Sequence, residues 1–410
     1  MALDDVLGAT PLTAVYQPVV QLETGEVLGY EALARGSRPP EALLRAARDA
    51  GCIGDLDWAC RTVALQGALD AGLGNSLSLF VNVEPDSDVL VPPACVEVLE
   101  RAESSLRVIL EVTERAVVQR PAELLRLVDW ARARGWGIAL DDVGEDPASL
   151  AMMPFLEPDV VKLDLRLVQD RPSPEIGMVM SAVTAQAERT GALVVAEGIE
   201  DDGDRQAALA MGATLGQGWL YGRPEALPTE LPRPDDVISL RRTWSVRDEP
   251  TPFSVVRAAR GLRRGDKELL LGIAAHLEAQ AVALAEGPVV LSTFEAGEDL
   301  SEDTLERYAA LSARGSFVAA LRTGDAPYVR DGTRGARLPD DHQLADEWSV
   351  VVVGPHYAGA LVARRVEAAQ SDADYDFAVT HDRALVIEAG RALLRHVAEL
   401  EHPWPGRYDP

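Results

Sequence analysis

The chain has 410 residues, 47% of them hydrophobic and 26% charged, a globular balance that argues against a fibrous or disordered protein. Its formal net charge of -27, with no local basic stripe, argues against a nucleic-acid polymer as partner. A small anionic ligand stays open, because a bound cation inverts the field of an acidic site.

The length suits two domains, one of them a barrel of about 200 to 250 residues. The segment Met1-Ala2-Leu3-Asp4-Asp5 lacks a basic region followed by an apolar core, and no window holds 18 uninterrupted apolar residues. The expectation is therefore a cytoplasmic chain with no membrane span. Cys52, Cys60 and Cys95 include no CxxC pair, so reduced thiols are expected, with neither a disulfide framework nor a structural zinc site.

In chain order, short β-rich runs alternate with helical patterns from about residue 13 to 222. Strands are predicted over Ala14 to Val20, Leu28 to Leu33, Leu77 to Val83, Val108 to Val112, Gly137 to Asp141, Val160 to Leu163, Leu193 to Glu197 and Leu215 to Leu220. Between them, Asp55 to Leu73, Ala122 to Arg134 and Glu175 to Thr190 carry apolar residues at three- and four-residue spacing, the helical period. Eight strands with interleaved helices predict an α/β fold, a (β/α)8 TIM-like barrel, over residues 1–235. Prolines among charges from residue 224 onward read as a linker, bounded at 236–250. A smaller α+β or α/β domain is expected over residues 251–402. It has helices at Lys267 to Glu286 and Ala384 to Leu400, and strands at Val289 to Phe294, Phe317 to Leu321, Trp348 to Val353, Ala358 to Ala363 and Asp376 to Thr380. Residues 403–410 are expected to form a tail.

Acidic and amide residues recur at the predicted strand ends: Glu31, Asn82, Glu111 and Glu114, the pair Asp141-Asp142, then Glu197 and Glu200. A barrel of this kind assembles its active site from the carboxyl ends of different strands. Carboxylates crowded into one cavity repel, and a hard divalent cation is the simplest neutraliser. Two oxygen-ligated metals about 3.5 to 4 Å apart are the arrangement that activates water for phosphodiester cleavage. Lys162, flanked by Val160, Val161 and Leu163, is the cation of the set.

With these residues in view, the first domain resembles the EAL family of cyclic di-GMP phosphodiesterases. The motifs are Tyr16-Gln17-Pro18-Val19-Val20, Gly29-Tyr30-Glu31-Ala32-Leu33-Ala34-Arg35, Phe80-Val81-Asn82-Val83, Glu111-Val112-Thr113-Glu114, Asp141-Asp142, Lys162-Leu163-Asp164, Ala196-Glu197-Gly198-Ile199-Glu200 and the run from Gln217 to Pro224. The resemblance implies that Glu31, Asn82, Glu111 and Asp141 hold a first metal. Asp141 would bridge to a second, completed by Asp142 and Glu197. It implies that Lys162 orients or deprotonates the attacking water, that Glu200 supports the catalytic set, and that Glu114 restrains the loop after Asp142. Gln17, Leu33, Arg35, Gln217 and Pro224 would contact substrate, Arg35 through a phosphate. The implied activity is hydrolysis of cyclic di-GMP to linear pGpG with two divalent cations, Mg2+ or Mn2+, inhibited by Ca2+. A homodimer through the barrel is an expected partner state. The alternative is a catalytically weak or inactive cyclic di-GMP receptor signalling through the second domain.

One motif departs from the family. Active members usually read Asp-Asp-Phe-Gly-Thr-Gly, whereas this chain reads Asp141-Asp142-Val143-Gly144-Glu145-Asp146-Pro147. The resemblance makes Val143 to Pro147 the segment on which the second metal and the dimer geometry depend.

Residues 250 to 400 resemble the DICT sensory domain, through Phe253-Ser254-Val255-Val256, the helix from Lys267, Arg307-Tyr308-Ala309-Ala310-Leu311, Glu347 to His356, and Asp376-Phe377-Ala378-Val379-Thr380. This implies a protein or small-molecule signal. His276, His342, His356 and His381 match no metal spacing, and Trp348 is expected in the core.

Overall fold

A computed structural model describes residues 3–8, 10–84, 90–144, 147–169, 173–241, 250–284, 287–294, 302–323, 329–339, 341–366 and 375–397. The chain forms two compact units. The first comprises residues 1–114, 127–145 and 157–244, and the second residues 115–126, 146–156 and 245–410. Glu145, Asp146, most of 242–250 and the tail 403–410 lie outside the described residues.

In the first unit, eight strands close a barrel in sequence order: β1 (Thr13–Gln21), β2 (Val27–Arg35), β3 (Ser78–Asn82), β4 (Arg107–Thr113), β5 (Gly137–Val143), β6 (Val160–Leu163), β7 (Leu193–Ala196) and β8 (Leu215–Gly216). Successive strands from β2 to β8 pair in parallel, but β1 is antiparallel to both β2 and β8. The barrel is thus a variant of the expected all-parallel form. The cause is the short link between β1 and β2, turned by Gly25 at φ 75°. Parallel neighbours need a crossover of a dozen residues or more. β8 is also shorter than expected, because residues 217–222 turn out of the sheet, with Tyr221 and Gly222 N–H donating to Gly218 O.

Strand side chains alternate between faces, and this period of two builds the barrel in layers. Phe80, Ile109, Ala139, Val160, Val195 and Leu215 belong to one buried apolar cluster in the barrel. Two residues farther along each chain stand Asn82, Glu111, Asp141, Lys162, Glu197 and Gln217. A packed apolar layer therefore supports a polar layer at the carboxyl ends of the strands.

The stretch read as linker contributes to this core. Ile238 is fully buried in the same cluster, and Leu240 packs against it. Arg241 N–H donates to Asp159 Oδ1 at 2.8 Å. Asp159 Oδ2 accepts from Ile138 N–H at 2.8 Å and pairs with Arg132 at 2.5 Å, so one buried carboxylate joins this segment to the starts of β5 and β6.

The second unit is built on a mixed sheet of β9 (Arg263–Gly265), β10 (Val289–Thr293), β11 (Phe317–Thr323), β12 (Val329–Arg330), β13 (Thr333–Arg334), β14 (Arg337–Leu338), β15 (Glu347–Val353), β16 (Ala358–Arg365) and β17 (Tyr375–Thr380). The order is β12-β13-β11-β10-β15-β16-β17-β9, with β14 on β11. Helices Lys267–Ala283 and Arg383–Leu394 correspond to the helical patterns of the sequence, and Glu302–Ala313 forms a helix the sequence reading did not include. An additional helix, Pro252–Ala259, starts in a capping box at Thr251. Glu347, wholly buried on β15, anchors it by accepting from Thr251 Oγ1 at 2.5 Å and Phe253 N–H at 3.1 Å, and it pairs with Arg364 at 2.5 Å. The helix Pro147–Leu156 also belongs to this unit. There the Phe155 ring occupies the space a side chain at Gly390 would need, and Arg391 Nε donates to Phe155 O at 2.6 Å.

Among the described residues no helix is long and apolar enough to cross a membrane. Cys52, Cys60 and Cys95 form no disulfide.

Candidate functional site

The polar layer converges on one cation. Lys162 is almost completely buried, and its Nζ lies 2.7 Å from Glu111 Oε1, 2.8 Å from Glu197 Oε1, 3.0 Å from Asp141 Oδ1 and 3.6 Å from Glu31 Oε2. Four strands other than its own, or the turns that end them, supply these carboxylates. A single ammonium faces four acids, so the cluster has room for further positive charge. Glu111 makes this plain: among the described residues, Lys162 is the donor that reaches its buried oxygens. Buried carboxylate oxygens without donors are unusual unless a cation completes them.

The double aspartate owes its geometry to a bulge. In the β5–β6 pairing Leu140 is opposite Val161 and Val143 opposite Leu163, so Asp141 and Asp142 together face the single residue Lys162. Regular alternation would send adjacent side chains to opposite faces, and the inserted residue cancels that alternation. Asp142 takes φ 58°, the left-handed region that aspartate tolerates better than most side chains. As a result Asp141, Asp142 and Glu197 each offer a carboxylate oxygen within 4.8 Å of the others. Among the described residues this is the group suited to hold a metal ion.

Amides fix the remaining acid. Glu31 Oε1 accepts from Asn82 Nδ2 at 3.0 Å, and Oε2 from Gln217 Nε2 at 2.6 Å. Gln217 also donates to Gln17 Oε1 at 3.1 Å, and Gln17 Nε2 to Gly222 O at 3.1 Å. Below the bulge, buried Glu114 accepts from Gly144 N–H at 2.6 Å and so holds the chain just after Asp142. A side chain at Gly144 would collide with Leu167, and its φ of 116° is open only to glycine.

The electrostatics follow from burial and neighbours. Burial acts to lower Lys162, but the surrounding carboxylates, Asp141 foremost, outweigh it and hold the ammonium charged well above its ordinary range. Glu111 is raised well above the carboxylate range by burial and by the charge of Glu31. Burial also raises Glu197, to about 8, against the attraction of Lys162. Glu31 ends below its ordinary value because Lys162 and the amides of Gln217 and Asn82 overcome the effect of burial.

Some expected residues stand outside the cluster. Glu200 is exposed, its N–H donating to Asp204 Oδ2 at 2.9 Å. Leu33 and Pro224 are half-buried, and Arg35, also half-buried, donates to Ala34 O at 2.9 Å. In the second unit the rings of His342 and His396 lie 4.7 Å apart, a pairing absent from the sequence reading because 54 residues separate them. His342 Nδ1 accepts from Leu344 N–H, which makes it a cap on a short 3-10 turn. Trp348 is buried against Tyr375.

Comparison with known proteins identifies two families along the chain. Residues 2–224 match the family model of the EAL domain, and residues 261–366 that of DICT, a sensory domain in diguanylate cyclases and two-component systems. The cyclic di-GMP phosphodiesterase RocR of Pseudomonas aeruginosa is 31% identical over 222 residues, covering 52% of this chain and 57% of RocR. The uncharacterised EAL-domain protein YkuI of Bacillus subtilis is 27% identical over 232 residues, covering 54% of this chain and 56% of YkuI. The chain thus spans about half the length of the curated relatives it matches. A solved structure, the manganese and cyclic di-GMP complex of Klebsiella pneumoniae BlrP1 at pH 9.0, aligns with a TM-score of 0.46 at 28% identity, over 53% of this chain and 57% of that one.

Proposed function

We propose that this chain, which belongs to the EAL domain family, hydrolyses one phosphodiester bond of cyclic di-GMP to give linear pGpG. The observation that carries the reading is the bulge of β5, which turns Asp141 and Asp142 toward one side with Glu197 while Lys162 faces them.

Glu31, Asn82, Glu111 and Asp141 would hold one divalent cation, and Asp141, Asp142 and Glu197 a second, with Mg2+ or Mn2+ suited to the all-oxygen set. When bound, such ions activate water and stabilise charge on the phosphate oxygens. Lys162, facing these carboxylates, would orient or deprotonate the attacking water. Gln217 and Asn82 fix Glu31 from two directions. Gln17, Leu33, Arg35, Gln217 and Pro224 would contact the dinucleotide, Arg35 offering a planar fork to a phosphate. Ca2+ would bind but inhibit, since its larger and looser coordination suits the water poorly.

The second unit would regulate the first through the helix Pro147–Leu156, which follows the double aspartate in sequence and packs at Phe155 against Gly390 and Arg391. Incubation with cyclic di-GMP and Mn2+, followed by nucleotide chromatography, tests the activity. A pGpG product that vanishes in excess chelator supports the reading; binding without turnover would make the chain a receptor.

A further inference from the structure

We infer that Asp57 is a positioning residue for the metal centre, acting through the backbone at the end of β3. The inference rests on the reading of Asn82 as a ligand.

Asn82 is the last residue of β3, and it is exposed, so packing does not fix its side chain. Its direction depends on the backbone that carries it. Val83 N–H is held by Glu111 O at 3.0 Å. One residue on, where β3 has ended, Glu84 N–H donates to Asp57 Oδ1 at 2.9 Å. Asp57 comes from the helix Ile53–Asp70 and is 3% exposed. It takes the place of a ladder partner for the chain leaving the sheet.

A buried carboxylate needs strong compensation, and this one has it. Asp57 Oδ2 pairs with Arg61 one helical turn on, equally buried, and the guanidinium lies over the Trp58 ring at 4.4 Å from its centroid. An apolar pair of the same volume is often as stable as a buried ion pair, so stability alone does not explain the charges. The acceptor that Asp57 offers to Glu84 N–H does. The connection runs from Asp57 to the Glu84 backbone, to Asn82 two residues earlier, and by Asn82 Nδ2 to Glu31. Groups that orient metal ligands in this way commonly change metal affinity by roughly 10- to 100-fold when removed.

The test compares four full-length proteins by Mn2+ calorimetry and by thermal melting in chelator. Asp57→Leu with Arg61→Met keeps the volume and removes the acceptor. It is expected to melt close to wild type and to bind Mn2+ roughly 10- to 100-fold more weakly. Asp57→Asn with Arg61→Gln keeps an acceptor without the charge and is expected to restore affinity to within about threefold. Glu84→Pro deletes the donor while leaving the ion pair intact, and is expected to weaken Mn2+ like the Leu/Met variant. It also decides the matter if that variant does not fold. Mn2+ binding unchanged in the folded variants lacking acceptor or donor overturns the inference, as does failure of the Asn/Gln variant to restore affinity. A wild-type chain that binds no Mn2+ overturns the metal reading itself, and the inference with it.

Discussion

Lys162 Nζ sits 2.7 Å from Glu111 Oε1, and among the described residues Lys162 is the donor that reaches this fully buried carboxylate. The lysine is the resident counter-charge of the acidic layer. Lys162→Met should therefore destabilise the metal-free protein by about 3–5 kcal/mol, the usual consequence of leaving buried charge uncompensated. Saturating Mn2+ should remove most of that difference. Urea unfolding in chelator and in Mn2+ measures both.

The pH dependence of metal affinity follows from Glu197, whose carboxyl is pushed up to about 8 by burial. Below pH 8 the folded, metal-free protein holds a proton there that the cation must displace. Mn2+ affinity should rise roughly tenfold per pH unit toward 8 and then level off. The sign for stability is opposite. Because the folded state binds this proton more tightly than the unfolded chain, Glu197 contributes stability that falls as pH rises from about 4.5 to about 8. Calorimetric titrations at several pH values, with melts in chelator, follow the two trends.

Ile238→Ala should cost about 2–5 kcal/mol, the range for truncating a fully buried aliphatic side chain. A barrel ending at residue 236 should be destabilised for the same reason, whereas one ending at 244 retains both Ile238 and the Arg241 bond to Asp159. Melting temperatures of the two truncations decide it.

Much of the site was legible because several of its polar residues obey a simple rule: Asn82, Glu111, Asp141, Lys162, Glu197 and Gln217 each stand two residues beyond an apolar residue of the barrel cluster, as Glu111 follows Ile109 and Asp141 follows Ala139. The antiparallel β1 was legible in principle from the short β1–β2 link. The bulge was not, since Asp141-Asp142 reads the same whether or not the strand takes an extra residue. Ile238 escaped because one apolar residue among prolines and charges has no period to reveal it. Asp57 and Arg61 did leave a signal. They lie at helical spacing with Ala64 and Ala68, a charged pair on an otherwise apolar face.

In the second unit, Glu347→Ala would remove the acceptor for Thr251 Oγ1 and Phe253 N–H and the partner of Arg364, which is partly open to solvent. The expected cost is about 1–3 kcal/mol, from leaving buried donors without their acceptor, read by urea unfolding of the full chain. A variant as stable as wild type would show that the helix Pro252–Ala259 is held by its apolar contacts alone.

The most direct test of the proposed two-metal centre is to count the ions. Mn2+ bound per chain should be measured in the presence of cyclic di-GMP, by electron paramagnetic resonance of the free ion, for wild type and for Asp142→Asn. The two proposed ligand sets, Glu31, Asn82, Glu111 and Asp141 for one ion and Asp141, Asp142 and Glu197 for the other, predict two ions in wild type and a marked loss of the second in the variant. A single ion in wild type, or two held equally well without the Asp142 carboxylate, would contradict the account.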